Sequence, residues 1–466
     1  MYSVSQTVVK LKDYPELFHF FGEMGVLATN LYNAGLFRVR QNFTMHGKES
    51  LQPLEEEVRQ EILRTVNAKK LGMPKRCMSY LFLEKLMRIT WNPDFFAGLP
   101  MQSAQHIIRQ VCTDFKSWMA ACRQYKKVPS LFLGRPKMPY YKKKKTASSF
   151  IFTNQDCRVM EKDGQSLLKF PKIKGQYLPI GPVHGRLKQV EVKPYYRDFL
   201  VICVFEAEDV SSLHTGSGAS CGIDLGIENI AALVSSNGHC VLYKGGALKS
   251  ANQWYNKQMS YYRSIAMKGH TPQEAAKLGL LDTRTMQGLA KKRAQFFHDT
   301  MHKIASDIVA FCLNSGIATV VIGKNKNWKQ RANIGHVNNQ NFVQIPLETL
   351  RRMITSKAEA VGIMVVVQEE SYTSKASLVD GDNIPVYGET MEDKPVFSGR
   401  RTKRGLYRTQ NGRLINADLN GAGNILRKYN ADAFEKWEDF QFLDRIIVRK
   451  YPELNKRIPV KGIEAA

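Results

Sequence analysis

A series of apolar segments tipped with acidic residues constrains the fold of this chain more than any other feature of its 466 residues. The first, SCGIDLG, sets Asp224 between Ile223 and Leu225. IENIAAL and HCVLYK follow, joined by Asn237-Gly238, so this stretch reads as three strands, the first ending in an acid. Residues 250–316 have helical spacing, and ATVVIGKNKNWKQ then gives a buried strand running into a basic loop. A helix (PLETLRRMITSKAEAVG) leads to the strand IMVVVQEE, which ends in Glu369-Glu370. NGRLINADLNGAGNILRKY finally places Asp418 at the start of a helix, flanked by Asn416, Asn420 and Asn424. A carboxylate among apolar neighbours is costly without a partner, so each invites backbone amides or a cation.

The order strand-Asp, two strands, helix, strand, helix, strand-Glu, helix-Asp is the layout of an RNase H-like α/β domain. Acids borne on different elements then meet where the carboxyl ends of parallel strands open. Phosphodiester hydrolysis with two Mg²⁺ (Mn²⁺ substituting) needs such hard oxygen ligands around both ions. Without metal the carboxylates would repel one another.

The front half is organised differently. Residues 1–12 alternate like a strand, and 14–130 read as helices with Leu17, Phe20, Phe21, Met24 and Leu27 on one apolar face. At Gly134 the composition shifts to GRPKMPYYKKKKTASSFIFTN, an extended segment in which prolines and lysines disfavour a helix. Arg135, Lys137, Lys142, Lys143 and Lys144 suit phosphates there, and Tyr140 suits stacking on bases. Short alternating runs from Ser149 to Asp209 predict a small β-barrel or sandwich, and HTGSGAS (214–220) reads as a linker.

Lys+Arg number 68 against 42 Asp+Glu, a net charge of +26 spread along the chain. Such an excess repels itself unless a polyanion neutralises it, and nucleic acid is the expected one. An anionic membrane surface would call for one amphipathic helix instead. No secretory signal and no apolar stretch of membrane-spanning length is evident, so no membrane partner is expected and the location is read as cytoplasmic, at the nucleoid of a prokaryote. The eight cysteines form no C-x-x-C pair and none follows Cys312, so they read as reduced, buried thiols, and no structural zinc is expected.

GIDLGIENIAAL, VVIGKNKNWKQ, EESYTSK, RRTKRGLYR and INADLNGAGNILRK together resemble TnpB, the transposon-encoded RNA-guided nuclease, and its relatives Fanzor and the compact type V CRISPR effectors. The resemblance implies a multidomain α+β protein. Its wedge β-barrel (1–12 and 134–213) would receive an inserted helical recognition lobe (13–133). A RuvC nuclease domain (214–372 and 409–435) would follow, with an insert at 373–408 where the family carries a zinc ribbon, and a C-terminal tail (436–466). It further implies a guide RNA, a double-stranded DNA target with a short adjacent motif, and one RuvC site.

Two departures from the family pattern matter. Gly323 stands where most members carry the second acid, and a glycine has no ligating side chain. Glu370, spaced from Thr373-Ser374 as in the rearranged members, is expected to replace it, with Glu369 on the opposite face of a regular strand. The site is thus read as Asp224, Glu370 and Asp418. Lys324, Lys326 and Lys329 would position substrate, with Trp328 stacking on a base or packing in the core. The second departure is the missing ribbon cysteines. With His336 read as a surface residue, the insert is expected to be a loop or small hairpin with a basic face at Arg400, Arg401, Lys403 and Arg404. Alternative readings are a nuclease-inactive RNA-guided repressor, supported by Gly323, and a DDE-type transposase.

Overall fold

The computed structural model describes residues 2–181, 183, 185–206, 218–324, 344–386, 395–403, 405–451 and 453–455. It divides into two compact units, 1–208 and 209–466.

In the first unit β1 (Tyr2–Val9) precedes α1 (Pro15–Met45), α2 (Pro53–Lys69), α3 (Tyr80–Ile89) and α4 (Met101–Lys127). Local chemistry sets the helix starts. Proline opens α1 and α2, where its missing N–H costs nothing. Ser79 accepts from the Phe82 N–H at 3.2 Å to cap α3. Residues 132–149 form neither helix nor strand, as the prolines of that segment require. Then come β2 (Phe150–Thr153), β3 (Arg158–Lys162), β4 (Gln165–Lys169), β5 (Tyr177–Pro179), β6 (Arg186–Tyr195) and β7 (Asp198–Glu206). They make two antiparallel sheets, β1-β7-β6-β2 and β3-β4-β5, and among the described residues no ladder joins the two. The helices are inserted between β1 and its partner, since Tyr2 pairs with Glu206 and Val9 with Phe199. Helices and strands share one core. At its centre Phe21 of α1 meets Phe170 and Phe199 edge-on, with ring centroids at 5.0 and 5.8 Å.

The second unit begins with β8 (Ala219–Asp224), β9 (Asn229–Ser235) and β10 (Cys240–Lys244). After them come α5 (Gly246–Ala266), α6 (Pro272–Lys277), α7 (Arg284–Asn314), β11 (Ile317–Lys324), α8 (Leu347–Glu359) and β12 (Met364–Glu369). The insert supplies β13 (Arg400–Lys403) and β14 (Leu406–Arg408), and β15 (Leu414–Asn416) leads directly into α9 (Ala417–Tyr429). One sheet has the order β12-β11-β8-β9-β10-β16, where β16 is Ile446–Arg449. Its β8-β9-β10 strands are antiparallel, while β11 runs parallel to β8 and β12 parallel to β11. Alternation along β11 separates the two faces. Val320 and Ile322 pack with Met301, Ile304 and Leu350 of α7 and α8, whereas Val321 packs with Leu419, Ala422 and Ile425 of α9.

Two expectations need correction. The linker over 214–220 is shorter than predicted, because Ala219 and Ser220 belong to β8. Ala219 pairs with Ile317, and the Ser220 N–H donates to Ser236 Oγ at 3.0 Å. Residues 214–217 lie outside the described residues. The segment after 436 is no mere tail, since β16 pairs in parallel with β10 at the sheet edge and Arg449 reaches Asp307 at 3.4 Å. Asp307 in turn accepts from the buried Tyr243 hydroxyl at 2.7 Å. Among the described residues no helix is long and apolar enough to cross a membrane.

Candidate active site

Asp224 is the last residue of β8, Glu370 directly follows β12, and Asp418 lies in the first turn of α9, where its charge complements the helix dipole. All three meet at one end of the six-stranded sheet. Burial pushes the Asp224 carboxyl well above the usual range, and the neighbouring Glu370 and Asp418 charges push it further, with Arg401 opposing. Asp224 also presses on α9, where a β-carbon added at Gly421 would lie 2.8 Å from its Oδ2. The glycine of NGAGN therefore lets the helix approach the carboxylate.

Gly323 has the same character on the other side. Gly323 pairs with Gln368 across the parallel β11–β12 ladder, and a β-carbon at Gly323 would lie 2.5 Å from Glu370 Oε2. The space a side chain at 323 would need is shared by the Glu370 carboxylate and the Ile425 side chain, whose Cδ1 would lie 2.6 Å from the same β-carbon. Glu369 is engaged elsewhere: it accepts from Lys428 Nζ at 2.6 Å and from the Ser371 N–H at 2.7 Å. Burial acts to raise its carboxyl, but the Lys428 and Ser371 hydrogen bonds prevail and hold it below the usual range.

The asparagines around Asp418 have separate tasks. Asn416 caps α9, its Oδ1 accepting from the Asp418 and Leu419 N–H groups at 2.9 and 3.2 Å. One turn apart, Asn420 and Asn424 grip the chain that leaves Glu370. The Asn420 side-chain oxygen accepts from the Leu378 N–H, and both amides donate to the Ala376 carbonyl at 2.8 and 2.7 Å. Asp418 itself accepts from Asn229 Nδ2 at 2.6 Å, and Arg401 of β13 lies 3.5 Å from its other oxygen. Neither contact was legible in the sequence, because both cross large separations without a motif.

Three carboxylates at one sheet end, near enough for Glu370 and Asp418 to raise the Asp224 carboxyl, are hard-oxygen donors of the chemistry a divalent cation takes. They are not drawn into a closed cage: among the described residues no three His, Cys, Asp or Glu side chains are gathered tightly enough to hold an ion as they stand.

The insert is tied by carboxylates. Asp382 Oδ2 accepts from the Ser377 and Ser398 N–H groups at 2.7 and 3.1 Å. Asp380 Oδ2 accepts from the Ser377 and Ser398 hydroxyls and the Gln410 N–H, at 2.5, 3.1 and 2.9 Å. Arg400, Arg401 and Lys403 are exposed on β13.

The predicted nucleic-acid contacts divide. Arg135, Lys137, Tyr140, Lys143 and Lys144 are exposed. Lys142 is turned inward, its ammonium 4.1 Å from the Tyr32 ring centre and its backbone clasped at both ends by the Asn33 amide. Burial lowers its pKa, against the pull of Asp114. Lys324 is exposed at the end of β11. Lys326, Trp328, Lys329, His336 and Arg404 lie outside the described residues.

Residues 204–329 match the family model OrfB_IS605, described as a probable transposase, and 348–425 match the Cas12f1-like TNB domain. TnpB-like protein ORF457 of Acidianus two-tailed virus is 29% identical over 209 residues, 44% of this chain. The match spans 41% of that relative's length. Among solved structures, a Cas12f1–sgRNA–target DNA complex aligns with 89% of this chain and 84% of its own at 15% identity and TM-score 0.41. The mini-RNA-guided endonuclease CRISPR-Cas_phi3 aligns with 92% of both chains at 10% identity and the same TM-score. Asp224 lies inside the segment that is similar to OrfB_IS605, and Glu370 and Asp418 lie inside the segment that is similar to the Cas12f1-like TNB domain.

Proposed function

We propose that this protein is an RNA-guided DNA endonuclease whose single RuvC-type site is formed by Asp224, Glu370 and Asp418. The observation that carries this reading is the meeting of three carboxylates from three separate elements, with Glu370 occupying the space that Gly323 leaves free. The sheet order β12-β11-β8-β9-β10 supports it, being the order an RNase H-like domain requires. The two matched family segments, which cover β8 to β11 and α8 to α9, support the TnpB-like role.

These three side chains would hold two Mg²⁺ ions, which when bound activate a water and stabilise the leaving oxygen. The protein's own groups do the positioning. Asn416 fixes the start of α9, and Asn420 and Asn424 hold the turn after Glu370. Arg401 and Lys324 are cations suited to the scissile strand. The first unit is read as wedge strands with an inserted recognition lobe, its exposed bases at 135–144 contacting nucleic-acid phosphates. Base pairing with the guide RNA would supply sequence specificity, the protein reading a short motif beside the DNA target.

The test is cleavage of a guide-matched plasmid with Mg²⁺. Wild type should cut, Asp224→Ala and Glu370→Gln should not, and Glu369→Gln should retain activity. Loss in Glu369→Gln with retention in Glu370→Gln would reverse the assignment. Guided binding without cutting in wild type would favour the repressor reading, which Gly323 motivates. The description of the first matched family as a probable transposase favours strand transfer instead. Sequencing of co-purified RNA separates that reading, since it requires no discrete guide species.

A further inference from the structure

We propose that Asn229 and Lys244 form a positioning pair that fixes the Asp418 carboxylate for cation binding; the inference rests on the metal-dependent reading of the site. Asn229 opens β9 and Lys244 closes β10, and the two are partners across the antiparallel ladder, at a register shift between Tyr243 and Lys244. That irregularity brings the Lys244 ammonium to 2.9 Å from Asn229 Oδ1. Asn229 Nδ2 then donates to Asp418 Oδ2 at 2.6 Å.

The chemistry leaves one amide orientation. A lysine ammonium only donates, so the amide oxygen must face Lys244 and the NH₂ must face the carboxylate. Asn229 is 3% exposed, so water is poorly placed to substitute for either contact. Without Lys244 the buried Asn229 oxygen would lack this donor, and a flipped amide would turn an oxygen lone pair toward Asp418. The pair thus commits one Asp418 oxygen to the protein. Only a group that orients a ligand, rather than one that merely fills space, would act this way.

The sign of the effect separates orientation from simple charge. Removing a nearby cation should tighten the binding of another cation if Lys244 acts only through its field. If Lys244 acts through Asn229, its removal should weaken binding. Mn²⁺ binding to the full chain, freed of nucleic acid by high salt, is therefore measured by the loss of the free-ion electron paramagnetic resonance signal. Lys244→Met should bind Mn²⁺ about tenfold more weakly, and Lys244→Arg should stay near wild type. Asn229→Ala should weaken binding in the same direction. Metal-free Lys244→Met should lose some thermal stability, since a buried oxygen loses its donor, yet still unfold cooperatively well above the temperature of the binding assay, which keeps its weaker Mn²⁺ binding from being a folding defect even if Asn229→Ala proves unstable. Unchanged or tighter binding in Lys244→Met overturns the pair. Asp224→Ala serves as the separate control. If it loses Mn²⁺ while Lys244→Met does not, the pair fails and the site reading stands. If it binds like wild type, the metal site itself fails and takes the pair with it.

Discussion

The second unit gathers carboxylates in two places, and the two are treated in opposite ways. In the insert, Asp380 and Asp382 face serine hydroxyls and backbone N–H groups, which satisfy their charge from within the fold. At the sheet end, the half-buried Asp224 has its proton affinity raised first by desolvation and then by the neighbouring Glu370 and Asp418 charges. An acidic cluster furnished with donors is a structural tie. One in which like charges raise the proton affinity of a half-buried member stores an unfavourable interaction that a bound cation would relieve.

The widest separation of the two clusters is in cleavage. Asp224→Ala or Glu370→Gln should cost about a thousandfold or more in rate, since metal-borne charge stabilisation is worth several kcal/mol. Asp382→Ala should leave cutting measurable in a single-turnover plasmid assay at a temperature where the variant is folded.

A smaller effect probes the space beside Glu370. Gly323→Asp should lower the cleavage rate at least tenfold, because its β-carbon would crowd the Glu370 carboxylate. Combining it with Glu370→Gly should recover part of the loss if the acid can act from either strand. Strict additivity of the two losses would show the positions to be independent.

Stability should move in opposite directions. Asp382→Ala removes charge-assisted hydrogen bonds worth about 2 kcal/mol, lowering the unfolding midpoint by roughly 5 °C whether or not EDTA is present. Asp224→Asn should instead raise the midpoint of the metal-free protein by a few degrees, as relief of site repulsion commonly does. A calorimetric scan of both variants checks the pair.

The pH dependence follows from the direction of the Asp224 shift. A carboxyl whose folded value lies above its unfolded one stabilises the fold when protonated. This contribution is fully present below the ordinary carboxylate range near pH ~4 and is lost as pH rises through the raised folded value. Metal-free protein should therefore gain stability from this group on acidification, while Mn²⁺ affinity falls over the same interval because the ion competes with the proton. Titration of Mn²⁺ binding against pH would expose an opposite trend.

The smallest effect concerns the first unit. Replacing Lys143 or Lys144 by Gln should reduce the salt slope of RNA binding by about 0.7 for each phosphate that is no longer neutralised. Lys142→Gln should leave the slope unchanged and lower thermal stability, because that lysine lies over Tyr32.

Much of this arrangement was readable from residue order. The apolar runs around Asp224 and VVIG, the helix start at Asp418 and the proline-lysine break after Gly134 each follow from local periodicity or backbone chemistry. Strand alternation predicts that Glu369 and Glu370 face opposite ways, and the structure turns the two side chains toward different partners. What escaped the sequence is long-range. Lys142 looks like its exposed neighbours until Tyr32 is brought beneath it by folding. IIVR has four residues and no alternation, so nothing local marks β16 as a sheet edge. Asn229 and Lys244 are ordinary polar residues until a ladder irregularity sets them face to face.

The pairing of β1 with β7 carries a consequence for biosynthesis. Tyr2 meets Glu206, so β1 must wait for some two hundred further residues before its hydrogen-bonding edge is covered. The four helices between them can form from local contacts as they leave the ribosome, whereas the sheet that closes over them is a late, non-local event. During that interval the nascent chain presents an unpaired strand edge to its surroundings. Synthesis of this protein should therefore be most vulnerable to misassociation before residue 206 emerges, and least once β7 has docked.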